Sequence, residues 1–168
     1  MSLISALEIA AFLGMTATGT ILSIQDFRER SVGLLSLVLH AFLTLLFIFV
    51  LLISKKKGIF WGIDPYDPLI SGLATLVVTG TIHAVAKERF AIGDVFFFTI
   101  SSALIPPLVL PLAFFLTSSL GLGWYLVMRL RSRDKSKIFI PTVPFIFVSF
   151  MTVFVWRNFF SALFDRLG

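Results

Sequence analysis

Cysteine is absent from these 168 residues and histidine occurs only twice. The first absence excludes disulfides, thiolate metal sites and a cysteine nucleophile. The second, with no His-Glu-x-x-His element, argues against a zinc centre, and nothing in the sequence calls for a cofactor. Charge is scarce too: Asp, Glu, Lys and Arg make up 14% of the chain, against about 25% in ordinary soluble domains. What fills the chain is apolar, 58% hydrophobic with 20 Phe, 3 Trp and 2 Tyr, at a mean hydropathy of +1.01. Such a sequence lacks the polar surface to cover itself in water and is too hydrophobic to stay disordered. It predicts an all-α, polytopic integral membrane protein forming a single transmembrane domain over residues 1–168. The net charge of +5 then reflects the bias of Lys and Arg towards one membrane face, and nucleic acid is not an expected partner.

A spanning helix needs about 20 apolar residues. Leu3–Ile24, Val32–Ile53, Pro68–Ala86 and Ile138–Phe160 each meet that length or come close to it. The N-terminal stretch has no basic segment before it and is interrupted by Glu8, so it is expected to stay as a helix and not to be cleaved as a signal. Val95–Met128 is too long for one crossing and tight for two. Pro106, Pro107 and Pro111 near its middle break any helix there. The expectation is two short helices joined by a very tight turn, and about six transmembrane helices in all. Charge supports that number. With six crossings, Arg28, Arg30, Lys87, Arg89 and the basic residues from Arg129 to Lys137 share one side, against Lys55–Lys57, Arg157 and Arg166, a split of nine to five. The positive-inside rule puts the richer side in the cytoplasm. The Lys55–Lys57 run stands against this orientation.

Two aspartates attract attention within that layout. Asp26 lies at the end of the first span and Asp94 opens the fourth. Two spans separate them, so both face the same side of the membrane whichever way the chain is oriented. Two carboxyls held close together cannot both ionise cheaply, and the pair then shares one proton. The ionised partner can take a proton from water while the neutral one polarises a carbonyl. That chemistry needs no metal, Ser or Cys. Taken singly, Asp94 also reads as an ordinary N-cap and Asp26 as a solvated boundary charge.

The residues around the pair add to this. Asp26-Phe27-Arg28-Glu29-Arg30-Ser31-Val32, with Ala91-Ile92-Gly93-Asp94-Val95 and the later Ile140-Pro141-Thr142-Val143-Pro144-Phe145, resembles the type IV prepilin peptidase family, which includes the archaeal preflagellin peptidases. The resemblance implies a membrane aspartic endopeptidase with Asp26 and Asp94 as catalytic residues, supported by Gly93, Arg28, Arg30 and Pro144. It also implies a pilin-like or archaellin precursor as substrate, cleaved beside its short basic leader. The site would lie at the cytoplasmic face of the plasma membrane. Two departures stand out: Ala91 replaces the first Gly of Gly-x-Gly-Asp, and Phe96 replaces a Lys found in many members. Without cysteine or room for the cytoplasmic domain of the larger members, no methyltransferase activity is expected. A proton-coupled transporter component and a non-catalytic scaffold derived from the peptidase are the alternatives. The oligomeric state is left open.

Among the other polar residues, Glu8 is expected near the outer interface, reaching water. His40 is expected in a helix–helix hydrogen bond. Trp61, Tyr66, Trp124 and Trp156 read as boundary anchors, and Gly121-Leu122-Gly123 as a place for close helix packing.

Overall fold

A computed structural model describes residues 3–54, 64–86, 91–131 and 139–167, with side chains to Phe159. Lys55–Lys57, Trp61, Lys87, Glu88, Arg89, Arg133–Lys137 and the Arg166 side chain, all part of the charge and anchor reading, lie outside the described residues. The described residues form six helices: α1 (Leu3–Glu29), α2 (Leu34–Ser54), α3 (Asp67–Val85), α4 (Ile92–Ser102), α5 (Leu110–Arg131) and α6 (Thr142–Leu167). Five are long and apolar enough to cross a bilayer, and α4 is the exception. The protein is thus an all-α polytopic membrane protein.

The expectation of two short helices within Val95–Met128 holds for α4 and is corrected for α5, which is of full spanning length. α4 has 11 residues and α5 has 22, so α4 is only about 16 Å long at 1.5 Å per residue. Proline position explains the asymmetry. Pro106 and Pro107 end the first element and a single 3-10 turn, Pro107–Val109, follows. Pro111 falls in the first turn of α5, where its missing N–H removes no helical bond.

The chain nevertheless travels from one end of the bundle to the other between α3 and α5. Ser71, in the first turns of α3, donates its hydroxyl to the Ile105 carbonyl at 2.6 Å, and Ser102 donates to the Ser71 carbonyl at 3.2 Å. The broken segment therefore has its exposed backbone satisfied by a neighbouring helix, as irregular backbone at membrane depth requires. α5 then returns: Trp124 Nε1 donates to the Phe139 carbonyl just before α6, at 3.1 Å.

Consecutive helices pack as antiparallel pairs, α1 with α2, α3 with α4 and α5 with α6. α6 joins the pairs, packing on α1 and α4 as well as on α5, with Val143, Ile146, Phe150, Val153 and Phe154 buried. The polarity is turned outwards in relation to a soluble domain. α3 buries Ser71, Thr75 and Thr79, spaced four apart, and exposes Leu69, Leu73, Val77 and Ile82. Small hydroxyl residues let helices approach closely where lipid already satisfies the apolar side chains.

Candidate active site

Asp26 and Asp94 meet at the same end of the bundle, and each is nearly buried, at 6% and 7% exposure. α1 runs to Glu29, so Asp26 lies inside its last turn and not beyond it. It continues the inward stripe of Met15, Thr18 and Leu22, three or four residues apart, which a helix stacks on one face. Its Oδ2 accepts the backbone N–H of Val143 at 3.0 Å, with the Thr142 backbone beside it. Asp26 thus caps the N-terminus of α6, a helix whose own first turn offers no carboxylate. The reading of Asp26 as a solvated boundary charge is overturned. The unsatisfied N–H groups of a helix start attract a carboxylate, and α6 brings its start to α1.

Asp94 occupies the third position of α4, and its Oδ2 accepts the N–H of Ala91, the N-cap residue, at 3.1 Å. It is the reciprocal half of a capping box and not the N-cap itself. Asp26 is near enough for its charge to act on Asp94, with α2 and α6 packed against both α1 and α4. Among the described residues neither makes an ion pair with Lys or Arg.

The four supporting residues separate. Arg28 lines a groove between α1 and α6 and is not paired with Asp26. Arg30 also turns away: its guanidinium lies 5.1 Å from the Phe139 ring centroid. Its backbone adopts φ 55°, the left-handed region, and its N–H closes α1 on the Asp26 carbonyl at 3.1 Å. Pro144 lies in the first turn of α6, lining the same groove as Arg28. Gly93 is helical, and the chain turns at Ala91, at φ −73° and ψ 153°. A Cβ on Gly93 would meet only the Val32 side chain, at 4.0 Å. That backbone also answers the question raised by Ala91: it is ordinary extended geometry, with no demand for glycine.

The groove between α1 and α6 measures about 520 Å³ and is lined by Thr20, Ser23, Phe27, Arg28, Pro144 and Phe147 among others. It begins at the residues that flank the Asp26–Val143 bond. The hydroxyls of Thr20 and Ser23 are bonded to the carbonyls of Thr16 and Gly19, so apart from Arg28 the groove walls are effectively apolar. Deeper in, Gly19 lies against the Phe147 ring so closely that an added Cβ would collide with it.

One layer below the aspartates, His40 of α2 is hydrogen-bonded through Nδ1 to Thr18 Oγ1 at 2.9 Å, as expected of a helix–helix contact. Its ring stacks on Phe97 of α4 at 4.9 Å. This layer ties α1, α2 and α4 together beneath the pair. Glu8 departs from expectation, being completely buried at the opposite end of the α1 inward stripe. Of the expected anchors, Tyr66 and Trp156 are exposed. Trp124 instead packs edge-on against Phe27, centroids 5.5 Å apart. No cluster of His, Asp and Glu suited to a metal occurs among the described residues.

Sequence reasoning missed the α6 N-terminus as a partner of Asp26. Pro141 and Pro144 flanking Thr142-Val143 mark a helix start with few backbone donors, and they were the available signal. Neither a protein-family model, nor a curated protein, nor a solved structure matches the chain.

Proposed function

We propose that the protein is a membrane-embedded aspartic endopeptidase that removes the short basic leader of type IV pilin-like or archaellin precursors. The observation that carries this reading is that Asp26 and Asp94 lie nearly buried on different helices, near enough to influence each other electrostatically and without a basic partner among the described residues. Buried carboxyls left without a cation are costly, and a shared proton is how such pairs persist.

In this mechanism one negative charge rests on Asp26, which faces the positive end of α6. Asp94 carries the shared proton. A water between them gives its proton to Asp26 as its oxygen attacks the scissile carbonyl, while Asp94 donates to the carbonyl oxygen. Collapse of the tetrahedral intermediate breaks the C–N bond, the leaving amine takes the proton held by Asp26, and Asp94 recovers its own. The substrate's apolar helix approaches along the α1–α6 groove, with Arg28 and Pro144 at the mouth. Arg30 fixes the end of α1, and the bare Gly93 leaves the approach to Asp94 open. By the positive-inside reading the site opens to the cytoplasm.

A proton-coupled transporter is the second reading, and buried Glu8 and His40 on the same inner surface favour it. Against it, the rings of Phe12, Phe47 and Phe154 pack together with centroids 5.7–6.1 Å apart between those levels. Together with Met15 they leave an apolar stretch and not a chain of proton carriers. The deciding experiment is cleavage of pilin and archaellin precursors in membranes carrying wild type, Asp26→Asn or Asp94→Asn. Leader removal by wild type and its loss in both variants is the expected result. Cleavage that survives either substitution refutes the two-aspartate mechanism.

A further inference from the structure

Trp124 reads from the sequence as a boundary anchor, yet its indole meets protein at three places. It lies edge-on to Phe27 of α1, with centroids 5.5 Å apart. Its Nε1 donates to the Phe139 carbonyl at 3.1 Å. Its ring also packs against Phe145 of α6, with centroids 6.2 Å apart. Phe27 directly follows Asp26, whereas Phe139 precedes and Phe145 follows Val143 by a few residues. One side chain on α5 therefore touches the neighbours of both partners in the Asp26–Val143 hydrogen bond.

The local sequence does little to fix the segment that Trp124 grips. Residues 139–141 belong to no helix. Pro141 and Pro144 carry no N–H, which thins the donors at the start of α6. Thr142 directs its hydroxyl back to the Ile140 carbonyl at 3.4 Å and does not cap the helix. Arg30 gives the same segment a second hold, its guanidinium 5.1 Å from the Phe139 ring centroid. The Val143 N–H reaches Asp26 Oδ2 at 3.0 Å, so the placing of this helix start decides whether Asp26 keeps its donor. A hydrogen bond to a carboxylate favours the charged form, the form that the proposed mechanism needs on Asp26.

We propose that Trp124 is a positioning residue of the peptidase, bracketing Val143 between Phe139 and Phe145 so that the start of α6 stays on Asp26 and Asp26 stays ionised. The inference rests on the peptidase reading and adds to it a working residue on a helix that supplies neither carboxyl. Trp124 touches no reacting group and acts through Asp26 alone. Asp26 is faced by Asp94 from α4 and by the Thr142 and Val143 backbone from α6. His40, on α2, lies one layer below, bonded to Thr18. On its own helix, Arg28 lines the groove and Arg30 covers Phe139, while Arg129 of α5 lies over Tyr125. No cation pairs with Asp26 among the described residues, so the donors at the start of α6 are what favour its charge.

The test is Trp124→Phe, which keeps an aromatic ring against Phe27 and Phe145 and removes the donor to Phe139. Trp124 is partly exposed, so the variant should fold. If it does not, Phe27→Leu, at a residue 54% exposed, releases the bracket from the α1 side and decides the matter. Two measurements are made on the full chain, amide hydrogen exchange at Val143 and the pH dependence of precursor cleavage. Exchange at Val143 should quicken about tenfold or more in the variant. Cleavage is lost on the acid side as Asp26 takes up a proton, so weakening its hydrogen bond should move that acid limb up by about one pH unit. A purely structural role lowers the melting temperature and leaves the limb in place. Unchanged exchange in a folded variant overturns the bracket. Faster exchange with an unmoved acid limb overturns the link to the charge on Asp26 while leaving the peptidase intact. Wild type that cleaves no precursor overturns the peptidase reading and the catalytic role of Trp124 with it, and exchange at Val143 then decides the bracket alone.

Discussion

Asp26 holds the start of α6, and in the proposed mechanism it also takes a proton from water; substitution tells the two tasks apart. Asparagine is nearly isosteric and ranks with aspartate as a helix cap. In Asp26→Asn the amide oxygen can still accept the Val143 N–H that Oδ2 now accepts at 3.0 Å, so only the charged part of that bond is lost, about 1 kcal/mol. Alanine leaves the N–H orphaned at a site only 6% exposed, which costs about 1–2 kcal/mol. With roughly 2–4 °C per kcal/mol for a chain of this size, Asp26→Asn should melt within a few degrees of wild type. Asp26→Ala should melt about 2–8 °C lower. Activity should not follow that order. Neither variant can accept a proton from water, so both should lose about 10²–10⁴-fold in cleavage rate. Thermal unfolding in detergent and precursor cleavage, measured on the same preparations, make the comparison. If Asp26→Asn cleaves within a few-fold of wild type while Asp26→Ala loses activity along with its stability, Asp26 is a cap and not a catalyst.

Two further outcomes concern the frame around the pair. Gly19→Ala should destabilise through collision with Phe147 by about 1–3 kcal/mol, offset by about 1 kcal/mol of helix propensity. Adding Phe147→Ala should relieve the collision, and a double-mutant cycle in thermal unfolding that shows no coupling refutes the close approach of α1 and α6. Ser71→Ala should cost about 1–3 kcal/mol by stranding the Ile105 carbonyl. Thr81→Ala, whose exposed hydroxyl only bonds back to Val77, should stay within about 0.5 kcal/mol of wild type under the same melt.

Alternation of spans was enough to put Asp26 and Asp94 at one end, because parity depends on counting helices and not on how they pack. The proline break was equally legible, since the steric reason for it is local. What the sequence did not disclose were relations between distant segments. Asp26 finds its hydrogen bond 117 residues away, and no local pattern distinguishes a carboxylate facing a neighbouring helix from one facing water. Glu8 was misplaced for the same reason: position along a helix gives depth, whereas burial depends on which way the stripe of Ala11, Met15 and Leu22 turns. Side-chain direction was not legible either: Arg28 lines the α1–α6 groove and the Arg30 guanidinium lies over the Phe139 ring.

The same 117-residue separation bears on how the protein is made. α1 enters the bilayer early, carrying a carboxylate whose hydrogen-bond donor belongs to a helix not yet synthesised. At roughly 5–20 residues per second, the interval before Val143 emerges is on the order of ten seconds. During that time the aspartates cannot adopt their final arrangement, however well α1 to α4 have assembled. Arrival of α6 both closes the described bundle and supplies the donor that Asp26 accepts, so on the proposed mechanism the pair gains its final arrangement only once α6 has been made.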